Sequence, residues 1–183
     1  MLVLVVGASG AGKDTLIEAA QTTLDGDGRF RFVRRVVTRP VIEGGEKHES
    51  VTDEEFDRRA EAGHLALQWR AHGLRYGLPG SIARDLDAGR VVVANVSRAT
   101  VPQLSSRFRV HVVEVTAPTE VRARRISERG REDADDLARR LARAILLPLP
   151  VERDTIVNTG TVAEGAAQLV AVLNRAAEHA LQA

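Results

Sequence analysis

The apolar run Leu2-Val3-Leu4-Val5-Val6 leads directly into Gly7-Ala8-Ser9-Gly10-Ala11-Gly12-Lys13. Glycines at this spacing let successive backbone N–H groups face a chain of phosphates, while the lysine reaches the outer oxygens. The loop opens a helix, so the partial positive charge of the helix N-terminus falls at the same point. The stretch from Gly7 to Thr15 is therefore the candidate phosphate cradle. After the lysine such loops usually carry a hydroxyl that ligates magnesium, but here the residue is Asp14 and the hydroxyl follows at Thr15. A carboxylate is also a hard oxygen ligand, so Asp14 is the candidate metal ligand, repelling the phosphates unless the metal is present. The alternative is an acid at a helix start that favours the dipole and touches nothing.

Other residues suit the same chemistry. Arg129-Gly130-Arg131 is followed by Arg139, Arg140 and Arg143, so several guanidinium groups surround a glycine able to act as a hinge. Moving a phosphoryl group needs cations that neutralise its spreading charge and a segment that closes to exclude water, which makes 129–143 a candidate lid. Glu132, Asp133, Asp135 and Asp136 lie among these arginines, so a solvated, ion-paired helix is the alternative. Thr38-Arg39, Glu46 and His48 form a polar cluster in which Arg39 can grip a phosphorylated acceptor in a forked contact. Asn95, Ser97 and Arg98 fall just past an apolar run, where open parallel sheets hold their ligands. Tyr76, the only tyrosine, either offers its hydroxyl to a phosphate or packs beside Trp69. His64, His72, His111 and His179 share no metal-ligand spacing and are read as structural.

A scaffold must bring these residues together. Short valine-rich runs alternate with longer amphipathic segments, the pattern of a parallel sheet covered by helices on both faces. The expectation is a three-layer α/β domain. Strands are expected at Leu2–Val6, Phe32–Val37, Leu65–Trp69, Arg90–Ala94, Val110–Val115 and Thr155–Val157. Helices are expected at about Lys13–Leu24, Asp53–Ala62, Ser81–Asp87, Pro118–Glu128 and Ala163–Ala180. Thr52-Asp53-Glu54-Glu55 has the form of a capping box. Gly73, Gly77, Pro79 and Gly80 predict a loop.

The length of 183 residues and a hydrophobic content of 44% fit one domain spanning 1–183. Twenty-six basic against 25 acidic side chains leave a formal charge of +1, so no global attraction to nucleic acid or an anionic membrane is expected. Any anion site is local. The lack of cysteine excludes disulfides, thiolate metal sites and cysteine nucleophiles, and accords with a reducing cytoplasm. The opening apolar run is too short for a signal-peptide core, and no later stretch is long enough to span a bilayer.

Over nearly the whole chain these residues resemble the guanylate-kinase-like group of P-loop kinases. The resemblance rests on the glycine loop, Thr38-Arg39 before a Gly-Glu segment, Trp69 ahead of Gly73 and Tyr76-Gly77, Arg129-Gly130-Arg131 with Arg140-Leu141, and the late Asn158. Within that group, Gly12-Lys13-Asp14, Thr38-Arg39-Pro40, Gly44-Gly45-Glu46 with His48, and Asn95-Val96-Ser97-Arg98 resemble the ribose 1,5-bisphosphate phosphokinases of bacterial phosphonate utilisation. The resemblance implies a P-loop kinase fold with a parallel five-stranded core sheet, an acceptor-binding insertion at about 35–80 and a helical lid at about 129–143. It implies that ATP, with Mg2+, extends the C1 phosphate of ribose 1,5-bisphosphate to give 5-phosphoribosyl 1-diphosphate. Lys13, Arg131 and Arg140 would then be catalytic. Gly7, Ala8, Ser9, Gly10, Ala11, Gly12, Lys13, Asp14, Thr15, Arg129 and Asn158 would hold the nucleotide and its metal. Arg39, Glu46, His48, Tyr76, Asn95, Ser97 and Arg98 would hold the acceptor.

The chain departs from guanylate kinases where that family reads guanine. The acidic residue before the tryptophan is Gln68, the Asp-x-Asp after the central strand is Asn95-x-Ser97, and a second arginine shortly after Arg39 is missing. Neutral groups in place of carboxylates remove a large source of base discrimination, so a sugar phosphate suits the site better. The alternatives are a nucleoside monophosphate kinase acting on GMP, a hydrolytic regulator, and a non-catalytic guanylate-kinase-like binding module. The intact Lys13 and the lid arginines argue against the last. Expected partners are ATP and a small sugar phosphate, with no nucleic acid and no membrane. The oligomeric state, a homodimer included, is not legible in the sequence.

Overall fold

Leu2–Val6 (β1) is buried along its whole length, as a central parallel strand must be when helices cover both faces of its sheet. In this computed structural model, which describes residues 1–41, 47–71, 73–128 and 153–181, β1 lies at the middle of a five-stranded sheet. With strands numbered in chain order, its neighbours are β7 (Val91–Asn95) and β8 (Val110–Thr116). The edges are β2 (Phe30–Val33) beside β7 and β9 (Arg153–Val157) beside β8, and every pairing is parallel.

Period-two alternation sorts the core onto two faces. Val3, Val5, Val93, Val113 and Val115 pack with Leu16 and Ala20 of α1 (Lys13–Thr23) and with Leu169 and Leu173 of the last helix, α6 (Val162–Leu181). Leu2, Leu4, Val92, Ala94 and Val112 pack on the other face, with Ile82 of α3 (Ile82–Asp87) and with Val101 and Leu104 of α4 (Val101–Ser105). The three-layer α/β expectation holds. No helix among the described residues is long and apolar enough to cross a membrane.

A second, four-stranded sheet runs in the order β4 (Glu49–Ser50), β3 (Val36–Val37), β6 (Leu74–Pro79), β5 (Leu65–Ala71). It pairs β3 parallel to β4 and antiparallel to β6, and β5 antiparallel to β6. Leu67 and Leu78 from this sheet enter the core on the α3–α4 face, which fastens it to the main sheet. The capping box starts α2 (Asp53–Glu61), where the Thr52 hydroxyl accepts from the Glu55 N–H at 3.2 Å.

Two expectations fail here. The stretch Phe32–Val37 is not one strand: Phe30–Val33 belongs to the main sheet and Val36–Val37 to the second, with Arg34-Arg35 crossing between them. Residues 74–79 form β6 instead of a loop. Gly77 fits that strand because it faces Leu65 and Phe56; an added Cβ would lie 3.0 Å from Leu65 and 3.4 Å from Phe56. Pro79 ends the strand opposite Leu65, where the register shifts, so its missing N–H is tolerated. The expected lid, with Arg129, Arg131 and Arg140, lies outside the described residues, as do Glu46 and His72.

Candidate active site

The phosphate loop joins β1 to α1 at the carboxyl end of the central strand. Gly12 is the N-cap residue of α1 in the left-handed conformation, φ +92, and has no side chain to cap the helix, so the first amides of α1 suit an anionic ligand. Lys13 bends back over the loop, its Nζ donating to the carbonyls of Gly7 at 2.8 Å and Ala8 at 3.2 Å. The ammonium therefore already stands at the loop's mouth. Behind the loop, Asn158 is buried, and its Nδ2 donates to the Ala11 carbonyl at 2.8 Å. That bond ties the loop to the connection between β9 and α6.

Two arginines of α5 (Thr119–Ser127) also border the loop, and neither was singled out in the sequence. Arg125 Nη1 lies 3.5 Å from the Ala11 carbonyl. Arg122 is buried with its backbone against Gly10; one guanidinium nitrogen is 3.3 Å from the Thr119 hydroxyl, and Nη1 has no hydrogen-bond partner among the described residues. The sequence signal was present only as a charged helix, because Arg124 on the same helix is exposed.

Asn95 ends β7 at the level of Val5 on β1, beside the loop. Its Nδ2 donates to the Asp14 carboxylate, so two residues assigned separately in the sequence are one unit. Among the described residues no group of three or more histidine, cysteine or carboxylate side chains can hold a metal. The Asp14 carboxylate still fits a magnesium ion, since that ion prefers oxygen donors and takes most of its shell from water and phosphate. Ser97 caps a single 3-10 turn, Arg98–Thr100. Arg98 pairs with Glu114 Oε1 at 2.5 Å, and Glu114 Oε2 takes Arg153 Nε at 3.0 Å. Glu114 thus serves two arginines, Arg98 from the turn after β7 and Arg153 from the start of β9, a role no local pattern announced.

The second sheet positions the acceptor-side candidates. Thr38 extends the β3–β6 ladder by one step: its N–H donates to the Arg75 carbonyl at 3.1 Å and its hydroxyl accepts from the Arg75 N–H at 3.0 Å. Arg39 follows at the point where Pro40 prevents further pairing. The buried His48 ring fixes that turn, with Nε2 2.9 Å from the Arg39 carbonyl, so Nε2 carries the proton. Tyr76 is buried and stacks on Trp69, ring centroids 5.4 Å apart, while the Arg35 guanidinium lies 5.1 Å from its centroid. Gln68, on the neighbouring strand position to Trp69, is exposed.

No protein-family model matches the chain. The ribose 1,5-bisphosphate phosphokinase PhnN of Methylobacterium radiotolerans is 50% identical over 173 residues, covering 94% of this chain and 96% of that protein. A bifunctional ribose 1,5-bisphosphokinase-thymidine phosphorylase of Cupriavidus necator is 50% identical over 171 residues, and there the chain spans only 28% of the relative's length. Among solved structures, guanylate kinase from Anaplasma phagocytophilum matches with a TM-score of 0.72 at 20% identity, covering 95% of this chain and 85% of that one, a likeness of fold alone. With half of its residues shared along almost the full length of the first of these, the chain belongs to the ribose 1,5-bisphosphate phosphokinase family.

Proposed function

We infer that the protein is a kinase that transfers the γ-phosphoryl group of ATP to the 1-phosphate of ribose 1,5-bisphosphate, giving 5-phosphoribosyl 1-diphosphate and ADP. The observation that carries this reading is Lys13 standing at the mouth of the phosphate loop, beside the carboxyl ends of β1 and β7, in a chain of this family. The attacking 1-phosphate oxygen is already anionic. Its bond to the γ-phosphorus forms as the bond from that phosphorus to the bridging oxygen breaks, and ADP leaves with the electron pair. No proton has to be removed, so the site needs no general base. Lys13 exchanges the Gly7 and Ala8 carbonyls for phosphate oxygens, and the loop amides hold the same chain in line. Magnesium, when bound with the nucleotide, neutralises charge on the β and γ groups.

The acceptor is assigned to Arg39, Glu46, His48, Tyr76, Ser97 and Arg98, and the lid, at about 129–143, supplies Arg131 and Arg140 to the transition state with Arg129 on the nucleotide. Arg98 already shares a carboxylate with Arg153, so it offers the acceptor hydrogen-bond donors more than net charge. The whole chain acts as one kinase domain, with about 35–80 as the acceptor region. A cysteine-free chain suits the reducing cytoplasm.

The test is to supply Mg-ATP with ribose 1,5-bisphosphate or with GMP, following ADP release and each product. The sugar phosphate should be preferred in kcat/KM by at least roughly a hundredfold, because guanine N–H donors left without buried partners cost about 1–3 kcal/mol each. Comparable GDP formation from GMP overturns the sugar-phosphate reading in favour of a nucleotide kinase. ADP release with neither product points to a hydrolytic regulator.

A further inference from the structure

Asn95 and Asp14 are 81 positions apart, yet the structure joins them by a side-chain hydrogen bond. Asn95 is 8% exposed, and its Oδ1 is buried without a hydrogen-bond partner among the described residues. An ionised carboxylate only accepts, so the bond fixes the amide with Nδ2 toward Asp14. Flipping the amide to satisfy Oδ1 elsewhere would set two acceptor oxygens against each other. Asn95 therefore leaves an acceptor unsatisfied in order to hold one carboxylate. Among the described residues no other side-chain hydrogen bond reaches the Asp14 carboxylate, so its second oxygen has no partner among them.

We propose that Asn95 is a positioning residue for Asp14, holding one carboxylate oxygen so that the other serves the divalent cation that accompanies the ATP phosphates, and that Asn95 does not read the acceptor. This rests on the kinase reading given above. The sequence places Asn95 where guanylate kinases carry an acidic base-reading residue, but its amide points at the metal side of the site. Donation from Nδ2 also spreads part of the Asp14 charge, which faces the same anionic phosphates. Without the amide, Asp14 would turn among several orientations, and the metal would lose a preset ligand.

The test uses binding as well as turnover. Mn2+ serves as the spectroscopic probe, its affinity for the protein–ADP complex read by electron paramagnetic resonance, and ADP affinity with and without Mg2+ is measured by calorimetry. Asn95→Ala should weaken Mn2+ in that complex by about tenfold or more, the range seen when a residue orienting a metal ligand is removed. Metal-free ADP affinity and the KM for ribose 1,5-bisphosphate should stay within about twofold, while kcat falls. Asp14→Asn should give a similar Mn2+ loss, and adding Asn95→Ala to it should cost little more, because Asn95 acts through Asp14. Should Asn95→Ala fail to fold, the exchanged pair Asp14→Asn with Asn95→Asp keeps an amide–carboxylate bond of the same size and should show the same Mn2+ loss. Unchanged Mn2+ affinity in these variants, or a tenfold rise in the KM for the acceptor with metal binding intact, overturns the proposal. A wild-type protein that binds no Mn2+ with ADP would instead overturn the kinase reading itself.

Discussion

Replacing Gly12 by alanine probes the join between the phosphate loop and the β9–α6 connection. Gly12 has φ +92, and a Cβ there would clash with Asn158 Nδ2, the nitrogen that donates to the Ala11 carbonyl at 2.8 Å. Holding an alanine in the left-handed conformation costs about 1–2 kcal/mol. Displacing the buried Asn158 adds roughly 1–3 kcal/mol for the lost bond and its unpaired carbonyl. Gly12→Ala should therefore destabilise by about 2–5 kcal/mol, and Asn158→Ala alone by about 1–3 kcal/mol. Once Asn158 is an alanine, the new methyl group has no nitrogen to displace and only the backbone cost remains. The double variant should then be more stable than the two single losses together imply, by about 1–3 kcal/mol. In a chain of this length each kcal/mol lowers Tm by about 2–4 °C, well within the reach of thermal and denaturant unfolding. Additive losses, within about 0.5 kcal/mol, would refute the reasoning, because the clash and the lost bond would then be separate events.

Lys13→Ala should lower kcat by a hundredfold or more, roughly the value of one transition-state contact or greater, with Tm little changed; near-normal turnover in a stable variant would remove the lysine from the mechanism. Glu114→Gln should lower Tm by about 4–8 °C, from roughly 2 kcal/mol for loosening a largely buried carboxylate that serves Arg98 and Arg153. Arg153→Met, at the more exposed end of that network, should cost less than about 1 kcal/mol, and the reverse order would contradict the geometry. Glu164 accepts from the Thr161 N–H and hydroxyl at the start of α6, and these bonds hold its carboxyl below the usual value of 4.5. A depressed carboxylate stabilises the fold above that value and loses its effect as pH falls through the folded pKa, so Glu164→Gln should be less stable than wild type at pH 7 and equal to it in strong acid. A constant difference between the two across that range would rule out the cap.

Whatever is fixed by neighbouring residues was legible in the sequence. The strand–glycine loop–helix unit at Leu2–Thr23 was readable because its glycines, its lysine and the apolar run before it are adjacent, and the capping box at Thr52 is likewise local. Where pairing partners are distant, local signals misled. Gly77 and Pro79 read as loop punctuation, yet Gly77 is small because Leu65 and Phe56 press on it, and neither neighbour is visible from residues 74–79. Nothing in Phe30–Val37 marks a change of sheet except Arg34-Arg35, since valine suits either strand equally.

The same division between local and distant explains the site. Lys13 and the loop could be assigned from spacing, whereas Asp14 with Asn95, Arg98 with Glu114, and Arg122 and Arg125 with the loop are contacts between elements. Those contacts alter what the individual residues can do. An arginine read alone is a free cation for a phosphate, but Arg98 arrives already paired. An asparagine read alone is a neutral substitute for a base-reading acid, but Asn95 has committed its donor to Asp14. The carboxylate missing from the guanine-reading position and the carboxylate gained after the phosphate-loop lysine are thus linked: an acid at 95 would stand against the acid at 14, and the amide is the residue type of that size that can donate to it. On the proposed metal role of Asp14, the loss of the guanine-reading acid at 95 is a consequence of placing a carboxylate at 14.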